Sequence, residues 1–202
     1  MTKDRYQILK EPSKGLFKDR GSRFIALAYP VREEDEIKEI LAALRKEYHD
    51  ARHHCYAWRI GPGEDRYRVN DDGEPSGSAG RPIYGQFLSG DLSDILVVVI
   101  RYFGGTLLGV SGLIRAYRSA TANALEQAEI VEHKVGQGIS LHFPYENMNA
   151  VMRLIKEYKP TILEQHFDME CRLMLSVWTR QLPALRAKLS KIENCRIEQD
   201  EE

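Results

Sequence analysis

Several things are scarce in this chain of 202 residues, and each scarcity narrows what the protein can be. Cysteine occurs three times, as Cys55, Cys171 and Cys195, an odd number with no CxxC pair. That spacing argues against a disulfide framework and for reduced thiols in a cytosolic protein. The longest purely aliphatic run, Ile95 to Ile100, falls far short of the ~20 residues that a membrane-spanning helix needs. MTKDRYQ at the start has no apolar core, so no secretory signal is expected. The net charge is only -1, so no global field draws the chain to nucleic acid, although a local patch still can. No long internal repeat is evident, and the only biased segment is the acidic QDEE end, where fraying is expected.

What is present is ordinary globular composition, 43% hydrophobic and 29% charged, enough for one large domain or two small ones. Residues 6–11 and 23–31 alternate as strands do, with turn chemistry in SKGLFKDRGS between them. In REEDEIKEILAALRKEYHD, Ile37, Ile40, Leu41, Leu44 and Tyr48 recur at helical spacing. Acids come first there and Arg45 and Lys46 last, as the helix dipole prefers. HCYAWRI (54–60) reads as a strand ended by the turn GPGED, and Pro82 suits the first position of a short helix. ILVVVIRYF (95–103) does not alternate, which predicts a central strand buried on both faces. After the break GGTLLGVSG, residues 112–129 place Leu113, Tyr117, Ala120 and Ala124 on one helix side, with Ser111 as the N-cap candidate. Beyond HKVGQG the strands GISLHFP, TILEQHF, ECRLMLSVW and NCRIEQD alternate with two helical segments in the order βαββαβ. The expectation is an α+β protein with domains at 1–134 and 135–202, the second of them ferredoxin-like.

DDGEPSGSAGRPI (71–83) is the densest candidate site, with three carboxylates, three glycines and two serines in thirteen residues. Asp71, Asp72 and Glu74 are oxygen ligands of the kind that hold Mg²⁺. Ser76, Gly77, Ser78 and Gly80, followed by Arg81, are small enough to present backbone N–H groups to an anion. A capped surface turn before Pro82 explains the same composition. The second candidate is RYFGGTLLGVSGLIRAYR, where a buried strand runs through Gly104 and Gly105 to a helix start at Ser111 and Gly112. Such starts bind anions through their unpaired N–H groups. Arg101, Arg115 and Arg118 lie there in a stretch, 95–125, that has no acid at all. The motif is neither GxGxxG nor a P-loop, because Val110 and Ser111 stand where the Lys-Ser/Thr pair belongs.

Other constellations are weaker. His49 and His53 have the spacing of HExxH, which suggests zinc if they share a helix; a helix C-terminus also suits them. Neither PSGSAG nor GVSG is GxSxG, and Cys55 and His54 would point to opposite faces of a strand, so triad hydrolysis has no support. Tyr56, Trp58, Tyr84, Tyr102, Phe103 and Tyr117 offer aromatic surface for stacking bases, but strand and helix placement favours core roles for most.

SRFIALAYPV, ARHHCYAWRIG, DDGEPSGSAGRPI and VVVIRYFGGTLLGVSGLIRAYRSATANAL follow one another as in the bacterial YigZ-like proteins of the IMPACT family, which this chain resembles over its whole length. The resemblance implies an N-terminal domain similar to the second domain of a small-subunit ribosomal protein and to domain four of elongation factor G. It implies a C-terminal ferredoxin-like domain similar to that factor's fifth. Eukaryotic relatives carry an added RWD domain and bind a partner of the amino-acid-starvation kinase; that partner is not carried over. Members often have a lysine where this chain has Leu107, which removes one phosphate contact here. The leading expectation is a cytoplasmic, non-catalytic RNA- or ribosome-associated protein of translation. Its glycine turns would meet at one end of the first sheet. The alternative is a Mg²⁺-dependent enzyme acting on a nucleotide or phosphorylated ligand, with the carboxylates on the metal and the arginines on phosphate. A protein partner at an exposed edge of the second domain is a third expectation.

Overall fold

The structure, a computed structural model, describes residues 4–63 and 65–199. Its elements begin β1 (Arg5–Leu9), β2 (Ser13–Asp19), β3 (Ser22–Pro30), α1 (Glu34–Glu47), β4 (His53–Arg59) and β5 (Tyr67–Asn70). They continue α2 (Gly80–Ser89), β6 (Ile95–Tyr102), α3 (Gly109–Glu126) and β7 (Ile130–Lys134). Contacts divide the chain into two compact units, Met1–His133 and Lys134–Glu202.

The first unit is built on a five-stranded sheet in the order β2-β3-β6-β4-β5, every neighbour antiparallel. The non-alternating β6 lies in the middle, and Ile95 to Ile100 are all buried, as a run apolar on both sides requires. Side chains alternate between two cores. Phe24, Cys55, Val97 and Val99 face α2 and α3, where Ile83, Phe87, Ala116, Tyr117 and Ala120 meet them. Leu27, Tyr56, Trp58, Val98 and Ile100 face α1, which contributes Ile37 and Leu44. β1 pairs with β7 in a separate two-stranded sheet.

Three strands were not expected: β2, β5 and β7, the last lying where only a polar boundary was read. SKGLFKD is β2 rather than a turn, and it pairs residue for residue with β3 from Ser13↔Ala28 to Asp19↔Ser22. Only Arg20 and Gly21 form the turn, both with positive φ (46° and 82°), the geometry that suits a two-residue hairpin loop. β5 is a short, mostly exposed edge whose Tyr67 stacks on Tyr84 at 4.7 Å. Pro82 is buried inside α2, which starts two residues before it at Gly80. Glu64 of the expected GPGED turn lies outside the described residues, as does all of QDEE except Gln199.

The second unit runs β8 (Gly136–Pro144), a 3-10 turn (Tyr145–Asn147), α4 (Met148–Tyr158), β9 (Thr161–His166), β10 (Glu170–Trp178), α5 (Leu182–Leu189) and β11 (Arg196–Gln199). Its four strands lie in the order β11-β8-β10-β9, all antiparallel. Period-2 alternation puts Cys171, Leu173, Leu175 and Val177 of β10 against Val151, Leu154 and Leu185 of the helices. The protein is thus α+β with several antiparallel sheets. No helix among the described residues is long and apolar enough to cross a membrane.

Candidate functional site

The signature loop closes on itself through Asp71. Its Oδ1 accepts the N–H groups of Ala79 (3.0 Å) and Gly80 (2.8 Å), and its Oδ2 accepts that of Gly77 (2.8 Å). The loop is therefore an anion nest, but the anion is the protein's own. Burial pushes the Asp71 carboxyl upward. The N–H groups of Gly77, Gly80 and Ala79, with the charge of Arg81, outweigh it and hold the group below the usual carboxylate range. Ser78 is fully buried and donates from Oγ to the Pro75 carbonyl (2.6 Å), while Ser76 is exposed. The expectation that this loop presents free backbone donors to an outside anion is corrected at Gly77 and Gly80, whose N–H groups are taken.

The three acids do not converge. Asp72 accepts the backbone N–H of His54 (2.6 Å) at Oδ2 and Arg45 (2.8 Å) at Oδ1, and these outweigh its burial to hold its carboxyl low. Glu74 Oε1 accepts Arg101 Nη1 (2.6 Å) and the Tyr117 hydroxyl (2.8 Å). Each carboxylate thus has its own partners. No group of three or more His, Cys, Asp or Glu among the described residues is arranged to hold a metal ion. The expectation that Asp71, Asp72 and Glu74 converge on one Mg²⁺ is corrected accordingly. Zinc fares no better: α1 ends at Glu47, His49 lies in the following turn, and His53 opens β4 with Nδ1 2.8 Å from the Asp72 carbonyl. Cys55 is buried with Sγ 3.0 Å from the Asp71 carbonyl and 3.2 Å from the Tyr117 hydroxyl, and burial pushes its thiol far up. It is held as a protonated core thiol, not as a nucleophile.

Glu74 joins the loop to the end of β6. Arg101 enters at the C-terminal end of this otherwise apolar strand with only 8% of its side chain exposed. A buried guanidinium requires a carboxylate, and Glu74, itself 4% exposed, supplies it. Arg101 also lies over the rings of Phe24 (5.5 Å) and Phe103 (5.7 Å). Its Nε is buried with no hydrogen-bond partner among the described residues.

The chain then turns at Gly104, which touches the β2–β3 turn. A Cβ there would sit 1.9 Å from the Gly21 carbonyl carbon, and its N–H donates to Ser22 Oγ (3.1 Å). Gly105 and Leu107 are exposed. α3 starts at Gly109, one turn earlier than expected, so Ser111 is its third residue and not its N-cap. The residue at the N-cap is Leu108, which makes no side-chain cap, and the first turn has no acid. Gly112 is buried against Leu108. Arg115 and Arg118 are exposed on α3, the former 2.7 Å from Asp19 at the end of β2. Arg81 is exposed at the start of α2.

One end of the large sheet thus gathers the 71–78 loop, the β2–β3 turn, the start of β4 and the end of β6. At the start of β4 and the end of β6 lies a cleft of 430 Å³ walled by Arg52, His53, Arg101, Tyr102 and Phe103, with Asp50 also lining it. The Asp50 carboxylate accepts the Tyr102 hydroxyl (2.7 Å), and that bond holds it low. Of the aromatic residues considered for stacking, Tyr56, Trp58 and Tyr117 are core, whereas Phe103 is 56% exposed at this cleft. Sequence reasoning missed Arg52 and the pairing of Glu74 with Arg101. The available signal was a lone arginine ending a fully apolar strand, which demands a buried acid.

Comparison with known proteins follows the same segments. The profile of the Impact N-terminal domain matches residues 20–125. An IMPACT family member of Haemophilus influenzae is 33% identical over 181 residues, covering 88% of this chain and 87% of its own. The IMPACT family member YigZ of Escherichia coli is 30% identical, covering 85% of each. A crystal structure described as a hypothetical protein superimposes with a TM-score of 0.75 at 27% identity over 99% of both chains. On the matched domain and on relatives aligned over most of their length, the chain belongs to the IMPACT family.

Proposed function

We propose that the protein is a cytoplasmic, non-catalytic RNA- or ribosome-associated member of the family, active in translation or its regulation. One observation carries the reading. Residues 95–125 contain no acid, and they carry the exposed Arg115 and Arg118 on α3, a helix whose first turn has neither acid nor side-chain cap. Uncapped helix N–H groups and nearby guanidinium groups are the usual furniture of phosphate binding. With the Asp71 nest filled, these groups and the Arg101 cleft, rather than the 76–80 loop, are the surface that meets phosphate. The strand order β11-β8-β10-β9 supports reading the second unit as ferredoxin-like, in keeping with the resemblance to translation-factor domains.

The test is a binding titration of the full chain against ribosomes and ribosomal RNA fragments across a salt series. Log affinity should fall linearly with log salt, and Arg115→Ala with Arg118→Ala should reduce the slope by about two. The ion pair of Arg115 with Asp19 is exposed on the arginine side, so its loss should leave the fold intact. No binding at low salt, or a double variant indistinguishable from the parent, defeats the proposal.

A further inference from the structure

We infer that the cleft at the end of the large sheet receives one unpaired nucleotide of single-stranded RNA, its base against Phe103 and its phosphate against Arg101 and Arg52. The inference rests on the reading of the protein as an RNA binder and names the form of RNA. The cleft measures 430 Å³, within the range of small-ligand sites and suited to a single nucleotide rather than a duplex.

Its walls have the chemistry of a stacking site. Phe103 is 56% exposed although it directly follows a buried strand, and the Arg101 guanidinium lies 5.7 Å from its ring. A cation over one aromatic ring forms a platform to which a base adds without regard to its identity. Leu107, 82% exposed on the same rim, adds apolar contact. Arg101 is 8% exposed, gives Nη1 to Glu74 and keeps a buried Nε without an acceptor among the described residues. Glu74 holds one side of this guanidinium and Nε is closed off from solvent, so the edge of Arg101 that lines the cleft is the part a phosphate would meet. Arg52 and His53 bring further donors to the same wall. The acid facing them is Asp50, and its position beside the Tyr102 hydroxyl suits it to accept from a ribose hydroxyl or a base amine. Bases within a helix keep their faces covered by their neighbours, so only an unpaired base can use Phe103.

The experiment measures binding of the full chain to a labelled uridine oligomer and to an RNA hairpin stem of equal phosphate number at low salt. Phe103→Ala, Phe103→Trp and Arg52→Ala are compared with the parent, each first checked for an unchanged melting temperature. The single strand should bind more tightly. Phe103→Ala should weaken it about tenfold and leave the stem untouched, and Phe103→Trp should restore it. Arg52→Ala should lower the salt slope by about one. Equal binding of both RNAs, with Phe103→Ala like the parent, overturns the inference while leaving the RNA reading intact. Failure to bind either RNA, or ribosomes, removes both.

Discussion

Replacing Asp71 tests whether its carboxylate organises the signature loop. Asp71→Ala deletes the acceptor of three backbone N–H groups, those of Gly77, Ala79 and Gly80. The net value of such a bond is ~1 kcal/mol or more, and Asp71 is only partly buried, so water repairs some of the loss; the expected cost is about 3 kcal/mol. Asp71→Asn is the sharper probe. One oxygen can still accept from Ala79 and Gly80, while the amide NH₂ confronts the Gly77 N–H, so the cost should fall to about 1–2 kcal/mol. Urea unfolding is the assay. Trp58 lies in the first unit and Trp178 in the second, so a Trp178→Phe background lets fluorescence report the relevant unit alone. The pH dependence has a definite sign. The folded Asp71 carboxyl lies below its unfolded value, so its contribution is present above the unfolded pKa of about 3.9 and is lost as pH falls through the folded one. The gap between parent and Asp71→Ala should therefore be full near neutrality and narrow below about pH 4. Equal cost for Ala and Asn, or a gap unchanged by acid, would refute the nest.

Three further outcomes follow from the same site. Glu74→Ala strands the buried Arg101 guanidinium and should cost about 3–5 kcal/mol in a thermal or urea melt, whereas a near-neutral result would mean that the pair does not hold the loop to β6. Gly104→Ala places a Cβ 1.9 Å from the Gly21 carbonyl carbon and 2.1 Å from the Ser22 nitrogen, so the β2–β3 turn must move at a cost of about 1–3 kcal/mol or more. The fully surface Leu107→Ala in the same turn should stay within about 0.5 kcal/mol. Because burial raises the Cys55 thiol, a disulfide reagent at pH 8 should leave it unmodified until the first unit unfolds; rapid native labelling would contradict the packing.

Much of the fold could be read from neighbours along the chain. The β-branched run at Ile95–Ile100 demanded burial on both faces and lies mid-sheet with both. The 3.6-residue pattern of α1 and α3 placed Ile37, Leu44, Leu113, Tyr117 and Ala120 inward, as found. The elements that escaped were the two edge strands of the large sheet, β2 and β5, and β7, which pairs with β1 in a separate sheet. β2 carries charges on its open face and a glycine, and β5 spans four residues, so neither has a periodic signal strong enough to outweigh turn chemistry.

The candidate site divides in the same way. Sequence alone determined that residues 71–80 and 101–118 hold donors, acceptors and acid-free arginines, because those are properties of residue type. Tertiary structure decided who satisfies whom. The Gly77, Ala79 and Gly80 N–H groups meet the carboxylate of Asp71, and Arg101 finds Glu74, 27 residues earlier in the chain. The expected N-cap at Ser111 failed because α3 begins a turn sooner, beside the contact of Gly104 with Gly21. Local pattern reports which groups need partners, since desolvation acts on each group by itself. Which partner arrives depends on chain segments brought together only by packing, and that is where the filled nest and the open cleft were told apart.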